Sequence, residues 1–168
     1  APTDGTAVRT ASGPAPSGMG ERGSGIAANG TGHGGRGAPR GAARARRVER
    51  VKPLIVLPTY NEAENIDEVL DRVREAVPEA DVLVVDDGSP DGTADLAEQW
   101  GRAHGGGVSV LRRASKSGLG SAYRAGFAQG LALGYDALVE MDSDLSHDPA
   151  SLPALLSAVD NGADLAIG

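Results

Sequence analysis

Beyond position 50, short apolar runs alternate with stretches in which apolar residues return every three or four positions. Leu54-Ile55-Val56-Leu57 is unbroken, ends at Pro58 and predicts a buried strand. Ile66, Val69, Leu70, Val73 and Val77 then recur at spacings of three and four, which predicts one apolar helix face. Asn61 stands where a cap would, Glu64 follows as in a capping box, and Pro78 lies just past the end. Val82-Leu83-Val84-Val85 predicts a second strand. Ser89-Pro90 predicts a helix start, a hydroxyl cap followed by proline, with the helix running through Leu96 and Trp100 to His104. Val108 to Leu111 is a third strand, Gly118 to Leu133 a helix rich in small residues, and Ala137 to Met141 a fourth strand. Asp148-Pro149 caps a last helix carrying Leu152, Leu155, Leu156 and Val159 on one face, and Ala163 to Ile167 begins a fifth strand.

This alternation predicts an α/β unit over 51–168, a mainly parallel sheet flanked by helices and reached by right-handed crossovers. Its length is enough for a real core. Stopping on an apolar strand, and starting at Ala1 rather than Met, predicts a fragment truncated after its fifth strand.

Composition changes the picture for residues 1–50. They hold 12 glycines, 4 prolines and hardly any large apolar side chain. They carry +5 where the whole chain of 168 residues carries −7, which leaves −12 on the rest. Ordering each residue costs roughly 1–2 kcal/mol of backbone entropy, and a run such as Gly30-Thr31-Gly32-His33-Gly34-Gly35 has no apolar surface to offset it. A disordered Gly/Arg-rich tail is expected over 1–50. Its basic end, Arg40, Arg44, Arg46, Arg47 and Arg50, is either a solvated linker or a contact for anionic lipid or nucleic acid, lipid being favoured of the two. The chain has no cysteine, which excludes disulfides, thiolate metal sites and a cysteine nucleophile and fits a reducing cytoplasm. No run approaches the ~20 apolar residues of a membrane span.

Candidate chemistry lies where α/β sheets bind ligands, beyond the carboxyl ends of the strands. Those ends read Pro58-Thr59-Tyr60-Asn61-Glu62, Asp86-Asp87-Gly88-Ser89, Arg112-Arg113 with Lys116 close by, and Asp142-Ser143-Asp144. Asp142 and Asp144 are the sharpest signal. Two hard carboxylates one residue apart suit a Mg²⁺ or Mn²⁺ ion that takes its other ligands from substrate phosphates and stabilises a leaving diphosphate. A polar turn would give the same letters. Asp86 and Asp87 suit a ribose or base, or the turn chemistry of Asp-Gly-Ser-Pro, with Asp86 orienting neighbouring loops. Glu62 suits a helix N-terminus or a nucleotide. Lys116, Arg112 and Arg113 suit phosphate charge or the surface, and Gly118 allows close backbone approach. His147 is a surface or site-lining residue, while Tyr123, Phe127 and Leu131 read as core.

A dinucleotide-binding dehydrogenase would place G-x-G-x-x-G after the first strand, which this chain lacks, and it has no phosphate-binding G-x-x-x-x-G-K-[ST]. A phosphoryl-receiver domain wants its acidic pair after the first strand rather than the second. A nucleotidyltransferase would bring a basic glycine-rich loop there. A noncatalytic nucleotide-binding module stays open.

Leu57-Pro58-Thr59-Tyr60-Asn61-Glu62-Ala63-Glu64-Asn65-Ile66 and Val84-Val85-Asp86-Asp87-Gly88-Ser89-Pro90-Asp91-Gly92-Thr93 resemble family 2 glycosyltransferases of the GT-A fold. Gly118-Leu119-Gly120-Ser121-Ala122-Tyr123 and Glu140-Met141-Asp142-Ser143-Asp144-Leu145-Ser146-His147 resemble its polyprenyl (dolichol) phosphate mannose synthase branch. The resemblance covers residues 53–168. It implies a GT-A, Rossmann-like sheet, a GDP-mannose donor, a polyprenyl phosphate acceptor and inversion at the anomeric carbon. By it Pro58, Tyr60, Glu62 and Asp87 line the nucleotide, and Asp142 and Asp144 serve metal and diphosphate as candidate catalytic residues. A related branch would use a UDP-sugar. The implied location is the cytoplasmic face of a membrane, held peripherally, with no nucleic-acid partner. Family members continue past the position of Gly168 to form the acceptor side, so this chain is expected to hold nucleotide without necessarily turning over.

Overall fold

The computed structural model of the protein describes residues 5–10 and 51–168. Six strands form one sheet: β1 (Thr6–Arg9), β2 (Pro53–Thr59), β3 (Asp81–Asp86), β4 (Val108–Arg112), β5 (Ala137–Glu140) and β6 (Leu165–Ile167). Four helices connect them: α1 (Ile66–Ala76), α2 (Thr93–Ala103), α3 (Leu119–Ala132) and α4 (Leu152–Asp160). The strand order is β4-β3-β2-β5-β1-β6. β4, β3, β2 and β5 run parallel, and β1 is antiparallel to both its neighbours. The sheet is thus mainly parallel, as the alternation of patterns predicts.

Side chains alternate between two cores, as the pleat requires. Ile55, Leu57, Val82, Val84 and Val139 face one core with apolar residues of α1, α2 and α4. Leu54, Val56, Leu83, Val85 and Leu138 face the other, covered by α3. All seven residues of β2 are buried. Burial on both faces is why this strand reads as a continuous apolar run.

Several expectations are corrected. The first helix starts after Asn65, not Asn61, with no side-chain cap bond and no capping box. Asn61 adopts φ 61°, and the amides of Asn61, Glu62 and Ala63 donate to Ser89 Oγ, Thr93 Oγ1 and Asp91 Oδ2, each at 3.0 Å. Side chains from the β3–α2 loop and the first residue of α2 satisfy donors that a helix start would otherwise have to cap. That also moves the second helix. Ser89-Pro90 forms a turn, and α2 begins only at Thr93 after Gly92 at φ 90°. Finally, residues 6–9 are not an unstructured tail. They form β1, in register between β5 and β6, with Ala7 fully buried. Thr6-Ala7-Val8-Arg9, four residues amid glycine and proline, is too short and shows no alternation by which a strand would stand out. The arginine cluster and the rest of the expected tail lie outside the described residues. Leu131, read as core, is exposed, while Asp148 caps its 3-10 turn as expected, accepting from the Ala150 amide at 3.0 Å. No helix among the described residues is long and apolar enough to cross a membrane.

The small residues of α3 have a packing cause. A Cβ on Gly126 would lie 2.4 Å from Val56 Cγ1, and one on Gly130 2.5 Å from Leu138 Cδ2. The helix therefore sits closer to the sheet than any alanine would permit. Alanine normally gains about 1 kcal/mol over glycine within a helix, but overpacking costs roughly 1–3 kcal/mol. Gly126→Ala is expected to lower the midpoint of chemical unfolding followed by circular dichroism. Gly120→Ala, whose Cβ would meet only Arg124 Nη1 at 3.6 Å, is expected to raise it. Equal responses from the two would contradict the close approach.

Candidate functional site

The carboxyl ends of β2, β3 and β5 and the start of α3 surround one cavity of about 270 Å³. Pro58, Tyr60 and Glu62 enter it from the end of β2, and Asp87 from the end of β3. Lys116 and Gly118 enter from the loop before α3, and Asp142 and Asp144 from the segment after β5. Residues scattered over 87 positions of sequence thus meet because parallel strands present their polar ends at one edge.

Asp86 is the exception among the sequence candidates. It is 2 % exposed and does not line the cavity. Its oxygens accept from Thr59 Oγ1 at 3.1 Å, from the amides of Gly88 and Ser89 at 3.1 and 2.9 Å, and from Ser89 Oγ. A buried carboxylate needs such donors, and here they fold the loop. Direct substrate binding by Asp86 is therefore corrected to loop orientation.

Asp87 lines the cavity but is also held from behind. Arg113 Nη1 lies 2.9 Å from Asp87 Oδ1, and the Ser117 amide donates to Oδ2 at 3.0 Å. Arg113 also donates to Ser121 Oγ at 2.8 Å. The three cations of this region consequently divide. Arg113 is committed to Asp87, and Arg112 pairs on the surface with Asp95 and Glu98. Lys116 faces the cavity, its Nζ 4.1 Å from the centre of the Tyr60 ring. Glu62 accepts from Asn65 Nδ2 at 2.9 Å, which turns its carboxylate back toward the helix it precedes.

The Asp142–Asp144 segment is pinned by its middle residue. Ser143 is buried and donates to the Pro58 carbonyl at 2.8 Å, tying this segment to the end of β2. Tyr123 of α3 donates to Asp142 Oδ1 at 2.7 Å. Burial, then that bond and the neighbouring carboxylates, push the Tyr123 phenol well above its ordinary value, so it remains a donor. Hydrogen bonds from Ser146 hold the Asp144 carboxyl below its ordinary value. The Asp142 amide donates to His147 Nδ1 at 3.0 Å. Sequence reading missed Tyr123 and Ser143 as site residues and left His147 open. The available signal was the phenol itself, since a buried tyrosine hydroxyl needs a partner.

Among the described residues no group of three or more His, Cys, Asp or Glu forms a closed metal cage. Two carboxylates one residue apart lining this cavity fit a hard divalent ion that completes its shell with phosphate and water. A closed thiolate or imidazole site does not fit.

A mannosyltransferase from Pyrobaculum calidifontis in complex with GDP-Man and Mn²⁺ superposes with a TM-score of 0.54 at 25% identity, over 66% of this chain and 32% of that one. Polyprenol monophosphomannose synthase of Mycolicibacterium smegmatis is 53% identical over 132 residues, 79% of this chain and 49% of the relative. Undecaprenyl-phosphate mannosyltransferase of Micrococcus luteus is 57% identical over 118 residues, 70% of this chain and 48% of the relative. The chain thus spans about half the length of these relatives. The GT-A-like sheet, the strand-end site and a match of residues 54–168 to the model described as glycosyl transferase family 2 agree: the chain belongs to that family.

Proposed function

We propose that this chain carries the nucleotide-sugar-binding part of an inverting transferase that moves mannose from GDP-mannose to a polyprenyl phosphate, using Mg²⁺ or Mn²⁺. The observation that carries the reading is the convergence of Tyr60, Glu62, Asp87, Lys116, Gly118, Asp142 and Asp144 on one cavity. The names of the relatives supply the lipid phosphate and mannose, and the solved neighbour supplies GDP-Man with Mn²⁺.

Asp142 and Asp144 would hold the divalent ion, which supplies neutralisation of the charge gathering on the leaving diphosphate. Lys116 adds a positive charge on the same side. Gly118, at φ 89° with open space around its α-carbon, lets phosphate approach the first amides of α3. Tyr60 and Glu62 offer a ring and a carboxylate to the nucleoside. Asp87, with both oxygens engaged, mainly fixes the loop that carries Lys116. In the transfer, an acceptor phosphate oxygen bonds to the anomeric carbon from the face opposite the diphosphate. The bond from that carbon to the donor oxygen breaks, and GDP leaves with the electron pair. The acceptor is already anionic at neutral pH, so positioning and charge stabilisation are the tasks left to the protein. A lipid phosphate acceptor would hold the enzyme against a membrane surface.

Three outcomes follow. Calorimetric titration with GDP and UDP, each with and without Mn²⁺, is expected to show metal-dependent GDP binding, with UDP weaker. Asp142→Ala is expected to weaken the metal-dependent part at least about tenfold. A UDP preference would keep the fold and overturn the donor. Metal-independent binding unaffected by Asp142→Ala would overturn the metal role. Arg113→Ala leaves the buried Asp87 without its counter-charge and is expected to cost on the order of 3 kcal/mol in chemical unfolding and to weaken GDP binding. Wild-type stability in that variant would contradict the loop-fixing role.

A further inference from the structure

Asp142 is held from two directions that the transfer mechanism above leaves without a purpose. A free carboxylate turns about its last bond and offers either oxygen. Here the Tyr123 hydroxyl takes Oδ1 at 2.7 Å. Oδ2 has His147 Nε2 at 4.0 Å, beyond hydrogen-bonding distance. The main chain is fixed as well, because His147 Nδ1 accepts the Asp142 amide at 3.0 Å. An accepting Nδ1 puts the proton of the neutral ring on Nε2, the nitrogen that faces the carboxylate. Both partners come from well-anchored places. Tyr123 is buried on α3, and the His147 side chain is only 16% exposed.

We propose that Tyr123 and His147 are positioning residues that hold Asp142 in one orientation, with Oδ1 occupied and Oδ2 left as the single oxygen offered to the divalent ion. The proposal rests on the reading of Asp142 as a metal ligand. It makes Asp142 a preset one-oxygen ligand rather than a flexible two-oxygen one. Partners that orient a metal ligand typically matter by roughly 10–100-fold in metal affinity when removed, and a carboxylate that must be ordered on each binding event loses affinity through that ordering.

The test is Mn²⁺ titration of the GDP-saturated chain, by calorimetry and by the electron paramagnetic resonance of the ion. Tyr123→Phe keeps the ring and loses only the hydroxyl. It is expected to weaken Mn²⁺ on the order of tenfold and to broaden the Mn²⁺ spectrum, while metal-free GDP binding stays unchanged. The histidine is read through two replacements. Asparagine places an oxygen near the position of Nδ1 and accepts the Asp142 amide, whereas glutamine reaches toward Nε2 and does not. His147→Asn is expected to keep most of the Mn²⁺ affinity and His147→Gln to lose it. A role confined to filling space would favour the larger glutamine or treat both alike, and that result would overturn the assignment of His147. Wild-type Mn²⁺ affinity in Tyr123→Phe and His147→Gln, with loss in Asp142→Ala, would overturn the inference and leave the metal reading standing. Wild-type affinity in Asp142→Ala would overturn the metal reading and this inference together.

Discussion

A carboxylate buried at the end of a parallel sheet has to find donors, and Asp86 finds them in the loops that build the site. Thr59 at the end of β2, the amides of Gly88 and Ser89, and the Ser89 hydroxyl all converge on it. Leaving such a group unpaired would cost several kcal/mol. Its demand therefore fixes the β3–α2 turn, and the turn in turn presents Ser89, Asp91 and Thr93 to the amides of Asn61, Glu62 and Ala63. Tyr60 and Glu62 line the cavity where they do because of this chain of bonds. The residue that organises the site is thus one that does not face it.

Packing sets the opposite wall. The glycines of α3 bring that helix down onto Val56 and Leu138, closer than a side chain would allow. The close approach keeps the first turns of α3 against the sheet edge, where Tyr123 meets Asp142 and Gly118 and Leu119 line the cavity. Core packing on one face of the sheet and orientation of a carboxylate at its edge are the same event seen at two positions of one helix.

The strands and the polar edge were legible because their causes are local. A strand buried on both faces must be apolar throughout, as Leu54-Ile55-Val56-Leu57 is, and chemistry in such sheets gathers past the strand ends. The starts of α1 and α2 were not legible, because Asn61 and Ser89 were capping residues by local rule but were drawn into bonds across the β2 and β3 ends. Asp86 and Asp87 look alike in the chain and part only in the fold, one consumed by its own loop and the other facing the cavity with Arg113 behind it. Tyr123 shared an apolar spacing with Phe127, which hid its hydroxyl's task. The strand Thr6–Arg9 was invisible for want of length, since only its pairing with β5 and β6 gives it a reason to exist.

The most direct test of this account is a crystal structure of the protein with GDP and Mn²⁺, with the ion located by its anomalous scattering. The expected result is a single strong peak beside Asp142 and Asp144, with the diphosphate in the cavity lined by Lys116 and Gly118. GDP seated in that cavity with no ion near the two aspartates, or an ion and nucleotide bound elsewhere, would contradict it.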